Sequence, residues 1–119
     1  MSPMRKQRDL PVTLYRILLY LNRMRNTDDS TRRLVRISKA TGIDRKELKG
    51  HLIALEKGGL VASVDSGEIG RGGHLKVTWE TTEVGKMKRQ DIGIFIQLGE
   101  KLGYYPQSFN YLPSDNLDF

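Results

Sequence analysis

The sequence predicts an α+β domain: a three-helix core, a β-hairpin and a long C-terminal helix. Three observations predict it. The segment from Arg36 to Val61, RISKATGIDRKELKGHLIALEKGGLV, reads as two short helices around a tight turn, running into a strand. Period-two alternation on both sides of a glycine-rich loop, Ser66 to Gly73, is the pattern of a hairpin. Beyond Thr82 the apolar residues return to a helical period and keep it to about Leu102.

The elements follow in order. Residues 1–10 form a polar arm with Arg5, Lys6 and Arg8 close together. It reads either as a segment that follows phosphates or enters a minor groove, or as a solubilising tail. Pro11 opens the first helix, which runs to Met24, at a position where a first turn tolerates proline. Leu14, Ile17, Leu18 and Leu21 give it one apolar stripe; Val12, Tyr15 and Leu19 give it a second, offset one. Two stripes are more than a surface helix needs, so either the helix is central in the core or the second stripe meets another subunit. After a polar loop, Ser30 or Thr31 caps a second helix to Thr41, with Leu34, Ile37 and Ala40 inward.

Gly42 supplies the left-handed residue that closes that helix, and Ile43 plugs the turn. Asp44 caps the third helix, with Glu47 three residues on as in a capping box. Leu48, Leu52 and Leu55 form its one apolar stripe, which leaves Arg45, Lys46, Lys49, Gly50 and Ile53 facing outward. Gly58 and Gly59 end it. The strands are expected over Leu60 to Asp65 and His74 to Thr81, with Leu75, Val77 and Trp79 inward. The loop between them carries Arg71 between Gly70 and Gly72, a cation on a flexible tip. Thr81 or Thr82 caps the last helix. On it Ile92, Phe95, Ile96, Gly99 and Leu102 share a face, extended by Ile94 and Leu98. Gly93 and Gly99 weaken a helix interior, which suggests close approach by a partner helix. Residues 103–119 form an aromatic tail expected to dock on its own or a partner's body, or to stack on bases.

Composition bounds function. With 119 residues a single domain is expected, residues 11–102 being its body. Cysteine is absent, so disulfides and thiolate metal sites are excluded. No apolar run approaches a membrane span and no signal-peptide core is visible. The net charge is +6, unevenly spread: residues 1–58 hold 14 Lys and Arg against 6 Asp and Glu, whereas residues 59–119 hold 6 against 8. A basic half containing the helix pair is a footprint for a polyanion. His51 and His74, the only histidines, lack a third ligand, so no metal and no cofactor are expected. Gly67 and Gly72 have phosphate-loop spacing, but Gly73 and His74 stand where that loop needs Lys and Ser or Thr. No nucleophile–base arrangement stands out, and the expectation is a protein that is not an enzyme.

The segments KATGID, LIALEKGGLV and TTEVGK, in the order helix, helix, helix, strand, loop, strand, helix, resemble the winged helix-turn-helix proteins, in particular prokaryotic regulators of the MarR and PadR kind. The resemblance covers about Leu14 to Leu102. It implies binding to double-stranded DNA through Arg45, Lys46, Lys49 and Arg71, with the third helix in the major groove and the loop, the wing, in the minor groove. Gly50 and Ile53 lie on the same outer face, and Arg32, Arg36 and Lys39 of the preceding helix are expected at phosphates. The resemblance further implies a homodimeric, cytoplasmic, nucleoid-associated transcription regulator. The apolar surplus points to the same dimer, built from Val12, Tyr15 and Leu19 with Ile92, Phe95, Ile96, Gly99 and Leu102. One departure stands out: Lys49 and Gly50 occupy positions where small polar residues of the recognition helix read bases. Two other readings therefore stay open, a DNA-organising or segregation protein and a winged helix that binds proteins in a transcription or replication assembly.

Overall fold

The computed structural model describes residues 9–69, 75–106 and 112. Four α-helices and one antiparallel hairpin make up the fold, an α+β arrangement compatible with a winged helix: α1 Leu10–Arg23, α2 Leu34–Thr41, α3 Arg45–Lys57, β1 Val61–Ile69, β2 Leu75–Thr81 and α4 Glu83–Lys101. A short 3-10 turn, Asp29–Arg32, precedes α2. Arg5, Lys6 and Arg8 of the arm, Arg71 and the rest of the loop tip at 70–74, and the tail apart from 103–106 and Leu112 lie outside the described residues.

α1 starts where Asp9 caps it, its carboxylate accepting the Val12 N–H at 3.1 Å. The helix is wrapped on most of its girth. Val12, Tyr15, Ile17, Leu18, Leu19, Tyr20 and Leu21 are all buried. Of the two alternatives for its second stripe, the structure selects the core: Val12, Tyr15 and Leu19 pack within the protomer, so the expectation that they contribute to a dimer surface is corrected. The covering element is α4, whose Ile96 is fully buried in the same cluster and whose Gly93 lies against the Tyr15 ring.

α2 begins later than the sequence suggests. Asp28, not Ser30 or Thr31, turns the chain, accepting the Ser30 N–H into the 3-10 turn. α2 then starts from Arg33, an extended residue without a side-chain cap. The reason is non-local: the Arg33 backbone pairs with Thr78 of β2 as an isolated bridge, which holds it out of the helix. The turn that follows matches its local rules. Gly42 is left-handed at φ 73°, and Ile43 is buried beneath it. Leu48, Leu52 and Leu55 of α3 are buried as their spacing requires. Each such leucine contributes about 1.5–3 kcal/mol relative to exposure.

In the hairpin, Val61 pairs with Thr81 and Ser63 with Trp79. Directly opposed residues share a face, which puts Val61 and Trp79 together in the core. Val77, expected inward, is instead more than a third exposed. β1 runs to Ile69, past the expected end at Asp65, with a register irregularity between those two residues. α4 starts at Thr82, whose hydroxyl accepts the Gly85 N–H at 3.1 Å and donates to the Gly59 carbonyl at 2.6 Å. That one side chain ties the end of α3 to the start of α4. Past α4, Tyr105 folds back over Gly99, and Leu112 is buried in the core cluster, so part of the tail docks on its own body.

Candidate nucleic-acid interface

α3 is anchored from one side only. Its leucine stripe faces the core, and the opposite side carries Arg45, Lys46, Lys49, Gly50 and Ile53, all exposed. On α2, Arg36 and Lys39 are exposed as well. The carboxylates of this helix pair are already engaged. Asp44 accepts the Lys46 N–H at 3.1 Å and caps α3. Glu47 contacts the His51 ring at 3.4 Å. Glu56 accepts both the hydroxyl and the N–H of Ser63, and these bonds hold its carboxyl below the usual range. Among the described residues, no carboxylate lies within ion-pair reach of Arg36, Lys39, Arg45, Lys46 or Lys49. These five cations thus have no acidic partner among the described residues, while the acids of the helix pair are engaged in local structure.

Gly50 sits in open space. A Cβ built there meets nothing within 4 Å, so nothing in the fold requires glycine at this position. Gly85, not singled out by the sequence reading, is the opposite. A Cβ there falls 2.1 Å from the Leu60 carbonyl oxygen, and that oxygen is held by the Thr82 N–H at 3.1 Å. The glycine of TTEVGK is therefore a packing requirement where α4 crosses the end of α3. Its signal in the sequence is its place in the first turn, where a glycine weakens a helix.

Arg32 does not join the basic face. Its side chain is 8% exposed and folds into the loop after α1. It donates to the Met24 carbonyl at 2.6 Å and the Thr27 carbonyl at 3.2 Å, and pairs with Asp29. Met24 is the C-cap of α1, and its carbonyl, which has no partner within the helix, accepts Arg32 beside the Thr27 hydroxyl at 2.8 Å. Its expected phosphate contact is corrected on that ground. The apolar surface of α4 is also redrawn. Ile96 is fully buried, Ile92 packs on the core and Gly99 lies under the Tyr105 ring, so these three leave the expected dimer face. The close approach that Gly93 and Gly99 permit comes from Tyr15 and Tyr105 of the same chain. Phe95 and Leu102 stay exposed, joined by Val84, Met87, Ile94 and Leu98.

The Tyr105 phenol is held above its ordinary range, first by a hydrogen bond to the Asp9 carboxylate. That contact joins the start of the tail to the cap of α1. Among the described residues, no three His, Cys, Asp or Glu side chains converge, and no helix is long and apolar enough to cross a membrane. Comparisons with protein-family models, curated proteins and solved structures return no match.

Proposed function

We propose that this chain is a winged helix-turn-helix protein that binds double-stranded DNA as a homodimer, with α3 in the major groove and the hairpin loop along the minor groove. One observation carries the reading: Arg36 and Lys39 of α2 and Arg45, Lys46 and Lys49 of α3 are exposed and have no acidic partner among the described residues. A duplex supplies that neutralisation, and release of its counterions supplies the driving force. The open space at Gly50 lets the outer face of α3 come close to a groove wall. In this reading Arg45 and Lys49, one turn apart near the helix N-terminus, meet base edges. Lys46, Arg36 and Lys39 meet phosphates, and Arg71 on the loop tip reads the minor groove. The protein is then a transcription regulator of the prokaryotic cytoplasm, associated with the nucleoid.

Lys49 and Gly50 favour a second reading, a DNA-organising or segregation protein with little sequence preference. Lys49 suits a phosphate as well as a guanine edge, and Gly50 has no side chain with which to read a base. Fluorescence anisotropy separates the two. A regulator binds duplex from the flank of its own gene at least about 100-fold more tightly than random duplex. An organising protein binds both alike, cooperatively and with a steep salt slope. Absence of duplex binding at low salt refutes both and favours a protein-binding winged helix.

A further inference from the structure

The outer face of α4 carries a four-residue seam whose spacing reads the same from both ends: Asp91, Ile94, Leu98 and Lys101 follow one another at three, four and three, and Met87 lies four residues before them on the same face. All five are exposed; Met87, Ile94 and Leu98 are 65%, 59% and 50% accessible, and Phe95 and Leu102 flank them. The midpoint of the seam lies at the level of Ile96, whose own side chain points the other way, into the core. Ile94 and Leu98 stand two residues either side of that level. Asp91 and Lys101 stand five residues either side, opposite in charge.

We infer that α4 docks antiparallel on α4 of a second copy of this chain, with Asp91 paired to Lys101 across the two-fold axis and Ile94 packed on Leu98. The charges select the occupant and its direction. Asp91 and Lys101 lie about 15 Å apart along their own helix, too far to serve each other within one chain. In an antiparallel pair each meets the other's counterpart, twice per dimer. In a parallel pair Asp91 meets Asp91 and Lys101 meets Lys101. Among the described residues Asp91 pairs only with Lys88, at 3.8 Å, a loose contact on the edge of the seam.

A second feature lies beside the same axis. A hollow of about 330 Å³ opens between Phe95, Leu98, Leu102 and the two tyrosines of the Gly103 turn, lined almost wholly by apolar atoms. Leu98 is one of its walls, so the partner's Ile94, packed on Leu98, borders further apolar surface there.

The inference rests on the dimeric part of the proposed function and not on DNA, so its test uses the full chain without nucleic acid. The chain has no cysteine, so introduced thiols report cleanly. Mixed Ile94→Cys and Leu98→Cys chains are expected to form the disulfide between unlike chains at least about tenfold faster than either forms it with itself, because the like pairs are displaced beyond the ~7 Å reach of a disulfide. In sedimentation, Asp91→Lys and Lys101→Asp are each expected to raise the dimer Kd by about tenfold or more, and the double reversal to return it to within about threefold of the parent. Circular dichroism checks that each variant keeps its helices. A dimer that cross-links Ile94→Cys to itself fastest, or that the double reversal does not rescue, overturns this arrangement alone. A monomer at about 100 µM overturns the arrangement and the dimeric reading together, and leaves duplex binding to be judged separately.

Discussion

Two helical glycines have opposite expected consequences when replaced by alanine. At Gly50 the added methyl meets nothing, so only helix propensity acts. Alanine is favoured over glycine by about 1 kcal/mol in a helix interior, and Gly50→Ala should stabilise by close to that amount. At Gly85 the same propensity gain is available, but the methyl would lie 2.1 Å from the Leu60 oxygen and 2.4 Å from the Thr81 hydroxyl. The hydroxyl can rotate away. The carbonyl cannot, because it accepts the Thr82 N–H and belongs to the turn joining α3 to β1. Relief requires α4 to move bodily by about 1 Å, and overpacking of this kind costs about 1–3 kcal/mol or more. Gly85→Ala should therefore destabilise by about 2 kcal/mol net.

Heat or urea unfolding followed by circular dichroism reads both variants. For a chain of this length about 1 kcal/mol shifts Tm by ~4 °C, so the two should lie about 12 °C apart on either side of the parent. A Gly85→Ala protein as stable as the parent would refute the reasoning, since it would mean that the start of α4 is free to move. DNA binding adds a second axis. Gly50→Gln should keep the fold and lower duplex affinity, whereas unchanged affinity would mean that this face of α3 does not enter a groove.

Other outcomes follow from single contacts. Arg32→Ala should destabilise by about 1 kcal/mol, since it takes the guanidinium from the Thr27 carbonyl and Asp29 and leaves the Met24 carbonyl to Thr27 alone, and should leave the salt slope of duplex binding unchanged; Arg36→Ala should do the reverse, lowering the slope by about one unit. Lys49→Ala or Arg45→Ala should narrow the ratio of specific to nonspecific affinity, while Lys46→Ala weakens both alike; equal losses on every sequence would favour the DNA-coating reading. Ser63→Ala should let the Glu56 carboxyl return toward its ordinary range in an NMR titration. Because the folded pKa is depressed, the Glu56 contribution is present above the ordinary carboxylate range and lost as pH falls through the folded value, so the parent should lose more stability there than Ser63→Ala. Gly99→Ala should displace the Tyr105 ring and break its contact with Asp9, seen as a fall of the phenol pKa toward the ordinary tyrosine value.

What the sequence made legible was what neighbours in the chain decide. Gly42, Ile43 and Asp44 obey rules of a few residues' reach, and the Leu48, Leu52, Leu55 stripe obeys helical geometry. All of them stand where those rules put them. The failures share a different cause. Apolar periodicity says that α1 has two stripes but not what covers them, so Tyr15 facing Gly93 of α4 could not be read from either segment alone. The late start of α2 is set by a bridge from Arg33 to a strand forty-five residues on. That bridge also accounts for Thr78, a polar residue buried on the face of β2 opposite Trp79. Gly85 is fixed by a carbonyl from another element in the same way.

The arginines of the helix pair make the limit concrete. Arg32 and Arg36 are four residues apart, and charge patterning treats them alike. The first is consumed by the fold because the loop after α1 ends a helix, and a helix end leaves carbonyls without donors. The loop offers the Met24 and Thr27 carbonyl oxygens within reach of one guanidinium, and Asp29 completes the set. Arg36 has no equivalent set of acceptors and stays exposed. Its charge is then available to an external anion, and the same holds for Lys39, Arg45, Lys46 and Lys49. A count of basic residues overstates a binding face by however many of them the fold has already used. Here the correction removes Arg32 and leaves the outer side of α3 intact, so the nucleic-acid reading now rests on five cations whose availability follows from their surroundings and not from their number.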